Sequence, residues 1–325
     1  MGHGNFGSMD VAVICEHERT IMKYQMTNWR YLCRLVRNVL GVAFVIIMAP
    51  GADAQTKIVP PASRPAVGNI AASPNLLRVC ASSINAPFST PDGQGFEDRI
   101  VKVVGEAMSR KVVFVYTARP AIYLVRDLLE KNLCDVIAGL DTGDERVLTT
   151  QPYYRSGYVF VSRADKHLDI EDWNDPKIPS LGNIAVEFGS PGEIMLRSLG
   201  KYEPELNYLY SLVGFKSPRN QYVQVPPGKL VQEVVDGNAD LAVAFQPSVA
   251  HFIKTAQIPL AVTIIPDDAV RSDGASVPQQ FDTSMGVRKG DTGLLEALNR
   301  GIARAQPHIK KILEDEGVIT LNSKS

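Results

Sequence analysis

Between residues 76 and 317 short apolar, β-branched runs alternate with stretches of helical spacing, and this alternation constrains the fold more than any other feature. LLRVCAS (76–82) reads as a strand. GFEDRIVKVVGEAMSR then sets Phe96, Ile100, Val103, Val104, Ala107 and Met108 on one helical face. KVVFVYT (111–117) reads as a strand, AIYLVRDLLEKN (121–132) as a helix and CDVIAGL (134–140) as a strand. Strands alternating with helices imply a parallel sheet of βαβ units. An extended segment, YRSGYVFVSR (154–163), leads into a second series. It has GNIAVEFG, DLAVAF and IPLAVTII as strands, and SPGEIMLRSL, KLVQEVVDG and PSVAHFIKT as helices. A second extended segment, FDTSMGVRKG (281–290), precedes a helix with Leu295, Leu298, Ile302 and Ala305 on one side. A separate, shorter helix is expected near residues 309–316. Two α/β units separated by two extended segments predict two lobes joined by two crossing hinge strands. Residues 76–157 with 287–325 form the first lobe and residues 158–286 the second. The ligand cleft is expected between them, at the carboxyl ends of the strands.

The N-terminus carries a targeting signature. Arg30, Arg34 and Arg37 precede the apolar run VLGVAFVIIMA (39–49), which Pro50 and Gly51 break, and Ala52-Asp53-Ala54 supplies small residues for cleavage. The run is shorter than the roughly 20 residues that span a bilayer. Residues 1–54 therefore read as leader and signal peptide, cleaved after Ala54, with no membrane segment in the mature form. Residues 1–25 read as an extension upstream of a start at Met22 or Met26. Residues 55–75, rich in Pro, Ala and Ser, read as a flexible linker. Export would leave Cys80 and Cys134 in an oxidising compartment, which favours a bridge. Their expected places on neighbouring parallel strands oppose one, and the residues alone leave the question open. A net charge of −1, with no basic block, argues against a nucleic-acid partner.

Candidate binding residues cluster in three cleft-facing loops. The loop after the first strand offers Phe88, either to stack on a ligand or to pack on its own lobe. In GLDTGDERVLTTQPYY (139–154) Asp141, Thr142 and Arg146 stand close together. An arginine there can grip a carboxylate through paired hydrogen bonds, or pair with Asp144 or Asp141 in its own turn. VEFGSPGEI places Gly189, Ser190 and Gly192 at a helix start, where backbone amides favour anions but where Gly and Ser are also ordinary turn and cap residues. Histidines at 3, 17, 167, 251 and 308 have no ligand spacing, no C-x-x-C occurs, and Phe188 stands where a nucleophile elbow needs glycine. No catalytic residue, metal or cofactor is expected.

GFEDRI, CDVIAG, DTGDER, PYY, DLAVAF and MGVRKGDTGLLEALN, in this order, resemble the type II periplasmic solute-binding proteins of family 3. The resemblance implies a two-lobed α/β periplasmic binding protein fold. It also implies Arg146 as the contact to a ligand α-carboxylate and the Gly189–Ser190–Gly192 helix start as a second carboxylate contact. Phe245, followed by Gln246, stands where amino-acid binders carry the aspartate that holds the ligand amine. Burying an ammonium against phenylalanine costs several kcal/mol, about the scale of an unpaired buried polar group, so a free α-amino acid fits poorly. An insert at residues 201–224 carries Tyr202, Tyr208, Tyr210, Phe215 and Tyr222, either as a partner surface or packed over its own lobe. Longer runs, among them PAIYLVRDLLEK and VAFQPSVA, are similar to periplasmic accessory proteins of methanol oxidation of the MoxJ and XoxJ kind. That similarity implies assisting maturation or activation of a PQQ-dependent methanol dehydrogenase through protein contact. The alternative is a solute-binding protein for a small carboxylate-bearing ligand, in transport or sensing.

Overall fold

Residues 73–213 and 224–322 are described by the computed structural model. The signal sequence, most of the linker, Phe215 and Tyr222 lie outside the described residues. Strand β1 (Leu76–Ser82) is buried along nearly its whole length because its two faces serve two cores. Leu77 and Val79 meet Phe96, Ile100 and Val104, while Cys80 meets Val115, Leu128 and Ile137. Helix α1 (Phe96–Ala107) covers the first face, and β2 (Lys111–Thr117) pairs parallel with β1 from Leu76–Lys111 to Ser82–Thr117.

Residues 121–132 depart from the regular helix expected of them. A 3₁₀ turn (Ala121–Tyr123) runs into one wide π turn (Val125–Leu129), closed by the Glu130 amide on the Val125 carbonyl at 2.9 Å. The wide turn lets Leu124, Val125, Leu128 and Leu129 all reach the small core before the chain turns back at Asn132. Cys134 then crosses beneath β1 before β3 (Val136–Asp141) begins, and it forms a disulfide with Cys80, Cα to Cα 5.3 Å. The expected obstacle to bridging assumed that Cys134 lies inside the strand. It precedes the strand, and the adjacent Asp135 amide donates to the Arg78 carbonyl at 2.7 Å.

β4 (Leu148–Thr149) is a two-residue strand with no periodicity to betray it. β5 (Tyr154–Arg163) leads to the second lobe, built from β6 (Ile184–Val186), α2 (Pro191–Ser198), α3 (Tyr202–Ser211), α4 (Pro227–Val235), β7 (Leu241–Phe245), α5 (Gln246–Lys254) and β8 (Leu260–Ile264). β9 (Gln280–Val287) returns, and α6 (Thr292–Glu316) closes the fold. The strand order is β2-β1-β3-β9-β5-β7-β6, with β4 on β9 and β8 on β5. β5 and β9 cross antiparallel, from Tyr154–Thr283 to Gly157–Gln280, and β5 then joins β7 and β8. At the crossing Arg155, 4% exposed, donates to Asp282 at 3.1 Å and meets Asp267 at 3.4 Å.

The two helices expected after residue 292 are one. Pro307 removes an amide and leaves the Ala303 carbonyl without its donor, but both residues are exposed, so water satisfies the carbonyl and the helix continues. Gly317 ends α6 with φ 87°, and a tail follows. Gln246 of α5 donates to the Gly317 carbonyl at 3.0 Å and accepts from the Ile319 amide at 2.9 Å. Ser156 of β5 donates to the Ile319 carbonyl at 2.7 Å, and the Leu321 amide donates to the Arg155 carbonyl at 2.8 Å. The tail is thus stitched both to the crossing strand and to the second lobe.

Candidate ligand cleft

A cleft of about 850 Å³ opens between the lobes. Phe88 and Asp141 line it from the first lobe, Glu187 and Phe245 from the second, and Tyr158 and Phe281 from the crossing strands. A smaller cavity of about 300 Å³ shares Phe88 and Asp141 with it and reaches Glu97, Asp144 and Arg146. The floor of the cleft is aromatic for a topological reason. Tyr158 and Phe245 are cross-strand partners on β5 and β7, and Phe281 sits on β9 where it crosses β5. Ring centroids lie 5.6 Å apart for Tyr158–Phe245, 6.1 Å for Tyr158–Phe281 and 6.4 Å for Phe245–Phe281.

The residues expected to bind a carboxylate are engaged within the protein. Arg146 makes a fork on Asp144, Nε to Oδ1 at 3.0 Å and Nη2 to Oδ2 at 2.6 Å, and donates to the Ile122 carbonyl at 3.1 Å. This pairing holds the Asp144 carboxyl below its ordinary range. Thr142 ties its turn to β9, through the Asp282 carbonyl at 3.0 Å and the Ser284 hydroxyl at 2.6 Å. Ser190 caps α2, accepting from the Glu193 amide at 3.2 Å, while the Glu193 carboxylate accepts from the Gly189 amide. The positive end of that helix already carries a carboxylate of its own. Gly192 is a packing glycine, since a Cβ there would stand 3.0 Å from a Val243 methyl. Gln246, 2% exposed, spends both ends of its amide on the tail. Phe88 does two things at once, lining the cleft while its ring lies 5.1 Å from Phe96.

The insert tyrosines divide. Tyr202 is 5% exposed beneath the Arg197 guanidinium, and Tyr208 packs on the second-lobe core and donates to Glu233 at 3.1 Å. Tyr210 is 50% exposed, its ring 5.3 Å from Phe188.

Sequence reasoning missed the groups that remain open to a ligand. The carboxylates of Glu187 and Asp141 have no hydrogen bond or ion pair among the described residues. Burial alone pushes Glu187 up to about 7. Asp141 stands exposed at the cleft mouth, yet the surrounding protein and then Asp144 raise it. The Tyr158 hydroxyl is raised by burial and then by both carboxylates, so all three groups face one space. The only signal in the sequence for Glu187 is its place at the carboxyl end of the apolar run NIAV. Deeper in, Glu97 of α1 accepts from the Tyr153 and Tyr154 hydroxyls, the latter at 3.0 Å, and burial pushes it up to about 7. Among the described residues no group of three or more His, Cys, Asp or Glu could hold a metal ion.

A family model for bacterial extracellular solute-binding proteins, family 3, matches residues 77–315. Protein MoxJ of Methylorubrum extorquens is 52% identical over 245 residues, 75% of this chain and 81% of that one. The crystal structure of MxaJ from Methlophaga aminisulfidivorans is 45% identical, with a TM-score of 0.73 over 75% of this chain and 100% of that one. The periplasmic binding protein XoxJ from Methylobacterium extorquens is 25% identical, with a TM-score of 0.54 over 76% of this chain and 100% of that one. With its two lobes, crossing strands and interlobe cleft, the chain belongs to the bacterial extracellular solute-binding proteins of family 3, and within them to the MoxJ type.

Proposed function

We propose that this protein is a periplasmic, non-catalytic accessory protein that assists maturation or activation of a PQQ-dependent methanol dehydrogenase, by protein contact at the interlobe cleft and its rim. One observation carries the reading. The three features that would recognise a free amino acid are gone or occupied: Arg146 is on Asp144, the α2 start is on Glu193, and Phe245 replaces the amine-holding carboxylate. The cleft nevertheless stays open at about 850 Å³. Ile84 and Ile122, 54% and 67% exposed, add apolar surface near its first-lobe edge.

The test is capture of the tagged protein from the periplasm of methanol-grown cells, together with dehydrogenase activity in a deletion strain. A dehydrogenase subunit in the eluate and loss of activity on deletion are expected. Arg146→Ala should leave the capture unchanged. Normal dehydrogenase activity in the deletion strain overturns the proposal, and a bound small acid lost on Arg146→Ala would restore the carboxylate-binding alternative.

A further inference from the structure

We propose that the cleft receives a basic side chain, lysine or arginine, from a partner polypeptide, paired with Glu187 against the Tyr158–Phe245–Phe281 cluster, with Asp141 on the opposite wall. This rests on the partner-contact reading above and names what the contact recognises.

The argument starts from the polar inventory of the cleft. Beside the polar side chains of Asn85, Gln224 and Ser248, the cleft is lined by Glu187, Asp141 and Tyr158, and these two carboxylates and the phenol hydroxyl lack a hydrogen bond or ion pair among the described residues. Once ionised, as above about pH 7 for Glu187, the carboxylates accept only, so a complement must donate, and a cation satisfies them best. Much of the remaining wall is apolar, with Phe88, Phe188, Phe245, Phe252 and Phe281 prominent in it, which suits the aliphatic stem of such a side chain. A cation over an aromatic face within about 6 Å of the ring centre gains further attraction. Glu187 lines the cleft from the second lobe and Asp141 from the first, so each wall offers an acceptor to a cation.

The same inventory excludes a free basic amino acid. Its α-carboxylate would need Arg146 or the amides at the start of α2, and both are engaged internally. A side chain within a polypeptide carries no α-carboxylate and no α-ammonium, so it needs neither group.

The experiment is calorimetric titration of the purified protein, at low ionic strength, with four probes. Two are the blocked peptides acetyl-Gly-Lys-Gly-amide and acetyl-Gly-Arg-Gly-amide. The third carries norleucine in place of the basic residue, and the fourth is the diamine cadaverine. The basic peptides should bind at least ten-fold more tightly than the norleucine peptide, and Glu187→Gln should remove most of that difference. Glu187 has no partner to lose among the described residues, so the variant should fold as the parent does, checked by its melting temperature. Equal affinity for norleucine and lysine peptides, or binding by none of the probes, overturns the proposal. Cadaverine binding as tightly as the peptides also overturns it, in favour of a free organic cation. The partner reading is judged separately. If the dehydrogenase still co-purifies while no basic probe binds, the accessory role stands and the basic side chain falls.

Discussion

Arg146 shows why residue identity under-determines residue role. Its position in DTGDER matches a carboxylate-binding arginine, but Asp144 two residues earlier reaches the guanidinium first and forks it. With 45% of its side chain exposed, Arg146 forms the kind of ion pair that contributes about 0–1 kcal/mol to stability. Glu97 is the opposite case, a carboxyl in the first turn of α1 whose two tyrosine partners lie 56 and 57 residues away. No local pattern announces it. Held from an ordinary 4.5 up to about 7, it keeps its proton in the folded protein where the unfolded chain has released it. Fewer protons on the unfolded state make stability fall as pH rises. The contribution is full below about pH 4.5 and declines to a loss of order 3 kcal/mol above about pH 7. Glu187, raised to the same value by burial, adds a slope of the same sign, so Glu97→Gln should remove about half of the slope in denaturant melts between pH 4.5 and 7.5. An unchanged slope would mean that the carboxyl is already ionised in the fold.

Elements whose burial repeats with a regular period were legible in the sequence. β1, β2, β5, β7, α1 and the start of α6 lie where their spacing predicts, because each presents apolar side chains at a regular period to the cores. Residues 121–132 were legible as apolar but not as a π turn, since the geometry is set by where Cys134 must arrive. The disulfide is not legible in the sequence, because strand limits cannot be read to within two residues, and two residues decide whether the sulfurs meet. It closes a segment of 54 residues and ties β1 to the approach of β3. A bridge of that span constrains the unfolded chain by about 2–4 kcal/mol. Cys134→Ser should therefore lower stability by about that amount in urea melts, and the parent protein measured in reductant should fall to the same value. A variant as stable as the oxidised parent would show that the Arg78–Asp135 pair, 2.6 Å apart at the same place, suffices.

On the scale of the whole molecule, two α/β units and two crossing segments were visible as a rhythm. The cleft chemistry was not, because it depends on which side chains the crossing turns inward. Tyr158 and Phe281 read as ordinary strand residues until β5 and β9 cross. Nor did any pattern point to the tail, whose bonds run to Ser156, Arg155 and Gln246. Removing residues from 318 onward should increase amide exchange along β5 and widen the distribution of particle dimensions in solution scattering. Unchanged exchange and scattering would show that the crossing strands alone set the lobes. The tail has a kinematic consequence. Two adjacent strands define a single axis of rotation, and a body hung on one axis keeps one freedom. The tail adds a third attachment, at Gln246, so a change of aperture must strain the bonds that Gln246 makes to Gly317 and Ile319. Opening and closing then work against a tether, and the rate at which a guest is taken up should change when the tail is removed.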